Sequence, residues 1–249
     1  MRKKILIADD SQTFLMYIGI LLKRMGFTVI PAENGLEVLK LLKLIEPDLI
    51  LLDIRMPTLD GLAVLRHIKE DKEIQNIPVV MVSGDLSTEM MEKCKSFGCA
   101  EYLTKPIKID KLHDALQECL FSGTGKKRKY LRVPFNAKVA IIYDEKQINL
   151  YAESLSERGI YLRKKDPFPV GSTVEIVLPL KDGKSIKLQG TVIYIKGLLG
   201  DILKVSPGMA IEFKELADRE AEILKKYIED IMAGDIIESQ EDTIIKIDT

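Results

Sequence analysis

The chain has 249 residues, 46% of them hydrophobic and 30% charged, which suits two globular domains with packed cores. A formal net charge of -1 argues against a nucleic-acid binder that relies on a global positive field. Two histidines, and three cysteines (Cys94, Cys99 and Cys119) without metal-type spacing, disfavour a histidine-based metal site or triad, and the thiols read as reduced small hydrophobes.

At the N-terminus the apolar stretch stops at Asp9-Asp10, too early for a signal peptide. No run of about 18 apolar residues suggests a membrane span, so a cytoplasmic protein is expected. Residues 1–121 alternate strands and helices. A strand over 4–8 runs into Asp9 and Asp10. Ser11 reads as a helix N-cap, and Phe14, Leu15, Ile18, Leu22 and Met25 recur at helical spacing until Gly26 stops them. A strand over 27–30 and a helix over 36–45 follow.

The third strand, 48–52, holds the unbroken run Leu49-Ile50-Leu51-Leu52, which is too short for a helix and suits a strand buried on both faces. It leads into Asp53. Met56-Pro57 and Asp60-Gly61 then turn the chain, since proline fixes φ and glycine tolerates positive φ. A helix over 62–70, a strand over 78–82, a helix over 88–97 ended by Gly98, a strand over 101–103 and a helix over 109–120 complete this half. Five β units with intervening helices predict a doubly wound, mostly parallel sheet.

In such a sheet the carboxyl ends of the strands share one edge, where ligands gather. Strand one ends in Asp9-Asp10, strand three in Asp53 and strand four in Ser83, while strand five precedes Lys105-Pro106. Alone, Asp53 would serve equally as metal ligand, nucleophile or helix cap. Three convergent carboxylates would repel and raise one another's pKa unless a cation sat among them. A hard divalent ion fits, Mg²⁺ above all, because it keeps waters and shares ligands with phosphate. One carboxylate can then attack a phosphoryl group to give an aspartyl phosphate. Lys105 and Ser83 would supply charge and a hydrogen bond to its oxygens.

With Asp9-Asp10, the D-x-x-M-P-x-x-D-G segment from Asp53 to Gly61, Ser83, Tyr102 and Lys105-Pro106, residues 1–121 resemble the receiver domain of two-component response regulators. The resemblance implies a flavodoxin-like five-stranded sheet with Asp53 as phospho-acceptor for a sensor histidine kinase. It implies that Mg²⁺ is held by Asp9, Asp10, Asp53 and the backbone carbonyl of Arg55. Ser83 and Lys105 would read the phosphoryl group, Tyr102 would be the switch aromatic, and the Lys105-Pro106 peptide would be cis. Homodimers through the face near the last two helices are a further implication. Gly84 stands where the family more often has alanine, a departure that removes no chemical group.

Small residues and two glycines over 121–125 mark a linker, assigned to 122–127. The basic run over 126–132 follows, in which Arg128 and Arg132 are spaced to grip one anion; arginine offers bidentate donors for phosphate and a flat face for a base. Beyond Pro134 the pattern changes to strands, over 137–143, 148–152, 159–163, 173–178, 185–195 and 209–213. Turn signals stand at Lys181-Asp182-Gly183-Lys184 and Pro207-Gly208. A small antiparallel barrel is expected. A helix over 216–232, ended by Gly234, carries the stripe Leu216, Ile223, Leu224, Tyr227, Ile228 and Ile231 to cover it. The tail, 233–249, reads as loose.

This half, 128–232, resembles a PilZ domain, a receptor module for cyclic di-GMP. Arg128 and Arg132 match the R-x-x-x-R segment, and Ser156 and Gly159 match D/N-x-S-x-x-G, with Ser154 in place of its acid or amide. The resemblance implies a nucleotide site of Arg128, Arg132, Ser154, Ser156 and Gly159. Together the halves predict a response regulator with two inputs, acting on an unidentified output protein, with no catalytic constellation after residue 121 and no DNA partner. The alternative is a phospho-regulated adaptor whose barrel ignores nucleotide.

Overall fold

The computed structural model describes residues 2–122, 130–197 and 207–241, with backbone only for 182 and 235–241. The chain divides into two compact units, Met1–Lys129 and Tyr130–Thr249. In the first, β1 (Lys4–Ala8), β2 (Thr28–Ala32), β3 (Leu49–Asp53), β4 (Val79–Ser83) and β5 (Glu101–Thr104) form one sheet in the order β2-β1-β3-β4-β5. Every pairing is parallel. Between the strands run α1 (Gln12–Arg24), α2 (Gly35–Leu42), α3 (Gly61–Glu70) and α4 (Thr88–Ser96), and α5 (Ile109–Phe121) closes the unit. All five residues of β3 and of β4 are buried, as strands covered by helices on both faces must be.

Side-chain caps fix where the helices begin. Ser11 accepts from the amide of Phe14, Asn34 from Glu37, Asp60 from Ala63 and Ser87 from Met90, each satisfying an amide that has no partner within its helix. The turn after β3 works differently from expectation. Thr58, not a glycine, takes the positive φ of 70°. Gly61 is instead the first residue of α3, where a Cβ would collide with the carbonyl oxygen of Asp53. Its amide donates to the Ile54 carbonyl at 2.9 Å. Close approach, not dihedral freedom, demands the glycine.

The second unit contains β6 (Arg132–Pro134), β7 (Lys138–Tyr143), β8 (Lys146–Ser156), β9 (Gly159–Arg163), β10 (Thr173–Pro179), β11 (Ser185–Lys196) and β12 (Gly208–Phe213), followed by α6 (Asp218–Glu241). Strands pair antiparallel in the order β8-β7-β10-β11-β12-β9, and β9 returns to β8, so the barrel closes and leaves no open edge among those strands. Ile141, Leu155, Leu162, Ile176, Leu188 and Ile211 are among the buried residues of its core.

Sequence periodicity left three features of this unit unseen. β6 is a three-residue strand that pairs with the far end of β8, and β8 extends through Ser156 rather than ending at 152. Asp144 and Glu145 turn the β7–β8 hairpin with φ of 50° and 60°, a turn without the glycine that usually signals it. Gly208 belongs to β12 instead of a turn, and a Cβ there would strike the carbonyl of Leu162 on β9.

The final helix also differs from expectation, starting at Asp218 and passing through Gly234 to Glu241. One helical glycine costs only about 1 kcal/mol against alanine, which neighbouring turns can absorb. Over 218–234 its buried residues are Leu224, Ile228 and Met232, whereas Ile223 is 38% exposed and Leu216 precedes the helix. Tyr227 meets Phe135 edge-to-face at 6.1 Å. Among the described residues no helix is long and apolar enough to cross a membrane.

Candidate functional site

At the carboxyl edge of the parallel sheet, β1 delivers Asp9 and β3 delivers Asp53, with Asp10 just beyond β1. One carboxylate oxygen from each lies within 4.8 Å of the others. Asp9 is fully buried and Asp53 only 4% exposed, which would be untenable for unpaired anions. The compensating charge is Lys105, whose Nζ stands 2.6 Å from Asp9 Oδ2 and 2.8 Å from Asp53 Oδ1. Its backbone amide donates to the Ser83 carbonyl at 2.8 Å, and the Lys105-Pro106 bond is cis. The Phe14 ring of α1 lies 4.4 Å from the ammonium.

Electrostatics follow from this packing. Burial pushes the Asp53 carboxyl up, and Asp9 adds to it; Lys105 and the amide of Arg55 pull the other way without cancelling it. Burial opposes the charge on Lys105, but its hydrogen bonds to Asp53 and Asp9 prevail and raise its pKa. The backbone amides of Ser11 and Arg55 donate to Asp9 and Asp53, at 3.0 and 2.9 Å, and fix both carboxylates.

Ser83, 2% exposed, ends β4 beside the cluster. Its Oγ accepts from the amide of Asp85 at 3.1 Å, and the Tyr102 hydroxyl donates to the Asp85 carbonyl at 2.8 Å. The loop after β4 is thus tied to both Ser83 and Tyr102. Arg55 Nη2 lies 3.9 Å from Asp85 Oδ2. The sequence places Phe14 only among the apolar positions of the first helix and does not single out Asp85; no motif announces either, because their importance comes from which loop and which ring reach the strand edge.

In the barrel, the nucleotide-site candidates fall on the adjoining strands β6, β8 and β9. Arg132 is register partner of Ser156, and Ser156 of Gly159. Ser154 is partner of both Pro134 and Tyr161. A bulge between Ala152 and Ser154 shifts the register so that Ser154 and Ser156 alternate with buried Leu155. Ser156 Oγ donates to the Gly159 carbonyl at 3.1 Å across the hairpin. A Cβ at Gly159 would collide with the Ile211 carbonyl of β12, so this glycine has a packing role whatever it binds. Arg128 lies outside the described residues.

The response regulator receiver domain model matches residues 5–117, and the PilZ domain model matches residues 126–230. The polar-differentiation response regulator of Brucella anthropi is 32% identical over 120 residues, covering 48% of this chain and 98% of that protein. This chain belongs to the response regulator family. Its first half also aligns with the receiver domain of a Francisella response regulator, 31% identical with a TM-score of 0.45 over 48% of this chain and 97% of that one. The chemotaxis response regulator of Vibrio cholerae is 26% identical with a TM-score of 0.46, over 48% of this chain and the whole of that one. Both modules of this response regulator are signalling domains, and no catalytic family is indicated.

The donor set of the acidic cluster fits Mg²⁺. Three hard oxygen donors lie within 4.8 Å of one another, close to the roughly 4.2 Å between opposite ligands of an octahedral Mg²⁺. They share the edge with the Lys105 ammonium.

Proposed function

We propose that a sensor histidine kinase phosphorylates this response regulator on Asp53, and that its barrel binds cyclic di-GMP to control an output protein. The observation that carries the phosphoryl reading is the Asp9–Asp10–Asp53 cluster bridged by the Lys105 ammonium. A carboxylate oxygen of Asp53 forms the new O–P bond as the donor's P–N bond breaks, and the departing nitrogen keeps the electron pair. When bound by Asp9, Asp10, Asp53 and the Arg55 carbonyl, Mg²⁺ supplies positive charge to the phosphoryl oxygens. Lys105 turns from the carboxylates to a phosphoryl oxygen, and the Ser83 hydroxyl donates to another. Because Ser83 Oγ and Tyr102 both hold the Asp85 loop, a change of partner at Ser83 shifts that loop and the tyrosine with it.

For the barrel, Arg128 and Arg132 grip phosphate while Ser154, Ser156 and Gly159 meet a guanine edge. The two charge-assisted contacts contribute on the order of 1.5–3 kcal/mol each. Serine at position 154, where the PilZ pattern has an acid or amide, weakens binding by roughly ten- to thirtyfold. The same serine favours the second reading, an adaptor driven by Asp53 alone. The reading further places the protein in the cytoplasm, with a dimer through the face near α4 and α5.

Two measurements test these halves separately. Acetyl phosphate with Mg²⁺ should add one acid-labile phosphoryl group to the wild type and none to Asp53→Asn; label on the variant would falsify the acceptor assignment. Calorimetric titration with cyclic di-GMP should saturate for the wild type and go flat for the Arg128→Ala, Arg132→Ala double variant. A flat wild-type titration at micromolar protein selects the adaptor.

A further inference from the structure

Register across the barrel sets four residues in one row. Ser154 stands opposite Tyr161, Tyr161 opposite Ala210, and Ala210 opposite Tyr194. Buried Ile160 and Leu162 flank Tyr161 along β9, and buried Met209 and Ile211 flank Ala210 along β12, so the row lies on the outer face. Tyr194 is 49% exposed. The two tyrosines are separated by two strand spacings, roughly 10 Å, and the residue between them contributes a single methyl. A planar base sandwiched between two rings needs about 7 Å, twice the stacking repeat of bases in a duplex, which that spacing exceeds.

The Lys196 ammonium stands over this gap, 5.3 Å from the Tyr161 ring centroid and 6.0 Å from that of Tyr194. Its partner across the strands is Gly208, which is paired in turn with Arg163. Lys196 therefore rises from the neighbouring row and reaches two ring faces that attract any cation.

We propose that Tyr161 and Tyr194 form a stacking slot for one guanine base of the cyclic dinucleotide, and that Lys196 is a plug which leaves the rings to meet the ligand's phosphate. The inference rests on the cyclic di-GMP reading above and deepens it. The exchange is balanced in kind: the ammonium gives up two cation–π contacts for one charge-assisted contact, and both rings keep a partner on their faces. Burial, aided by Glu153 and Tyr194, pushes the Tyr161 phenol up to about 12, so that ring presents no anion to the ligand near neutrality. The slot opens beside Ser154, where the motif's carboxylate or amide is missing, and stacking there offsets the lost base-edge contact.

The test is calorimetric titration of the full chain with cyclic di-GMP, on the wild type, Tyr161→Leu, Tyr194→Leu, Tyr161→Phe, Tyr194→Phe, Ala210→Leu and Lys196→Met. Each leucine variant of a tyrosine should weaken binding by about five- to 150-fold, the range for loss of one base–aromatic stack. Phenylalanine should restore affinity to within about twofold, because stacking uses the ring and not the hydroxyl. Ala210→Leu keeps both rings and fills the gap, so it should block binding while its melting curve stays that of the wild type. Lys196→Met should flatten the dependence of affinity on salt. Wild-type binding that the leucine variants and Ala210→Leu leave intact overturns the slot alone and leaves the nucleotide reading standing. No binding by the wild type overturns both.

Discussion

At Asp53, burial raises the carboxyl's pKa and Lys105 does not fully restore it. A folded pKa above the unfolded value means that ionisation costs stability once the pH exceeds the folded value, and costs nothing below the ordinary carboxylate range near 4. Asp53→Asn should therefore melt higher than the wild type at neutral pH in chelator, and the advantage should vanish in acid. Mg²⁺ at ten times its Kd should add about 1.4 kcal/mol to the wild type, and the variant should lose most of that increment. Equal melting temperatures at neutral pH in chelator would contradict the direction of the shift.

Asp48 makes the opposite case. Burial would raise its pKa, but the Lys3 ammonium at 2.8 Å and the Lys4 amide outweigh it and lower the pKa. Its contribution is present above the ordinary value near 4 and lost as the pH falls through the depressed one. Asp48→Asn should cost up to about 1 kcal/mol at neutral pH, since both partners are a third exposed and screened. That deficit should close in acid and shrink at high salt, both readable from chemical denaturation curves.

Among the elements, turns and caps decide more than propensity. Asp60 caps α3 at the end of the turn that follows Asp53, and Asp60→Ala should cost about 1 kcal/mol by denaturation. Gly61→Ala should cost more than any cap, because the new Cβ meets backbone that cannot step aside. It should also slow acetyl phosphate labelling by moving Asp53, whereas Asp60→Ala should leave the labelling rate near that of the wild type. In the second unit, Leu224→Ala on α6 should cost about 2–5 kcal/mol, as for other fully buried leucines. A loss under 1 kcal/mol there would mean that α6 is not part of the barrel's core.

For the molecule as a whole, the proposed inputs lie on separate units joined through the segment that carries the first arginine of R-x-x-x-R. If both bias one equilibrium, linkage makes their coupling reciprocal. Beryllium fluoride, a mimic of the phosphoryl group, should change cyclic di-GMP affinity by some factor, and cyclic di-GMP should change beryllium fluoride affinity by the same one. A factor of one in both directions would mean that this response regulator reads its two inputs independently.

Much of this was legible in the residues themselves. The doubly wound sheet follows from apolar runs of strand length that alternate with helical spacing, and the acidic cluster from the carboxylates that end those runs, since parallel strands must present their carboxyl ends together. Local rules of this kind act over a few residues, so a linear chain displays them. What the chain order hides is contact between distant segments. That Gly61 and Gly159 are demanded by a neighbouring carbonyl, that a strand of three residues pairs with β8, that Phe14 lies against Lys105, and that Ser154, Tyr161, Ala210 and Tyr194 share one row depend on register and closure. Those are fixed by how whole strands pack, and a shift of one residue would turn every side chain of a strand to the opposite face.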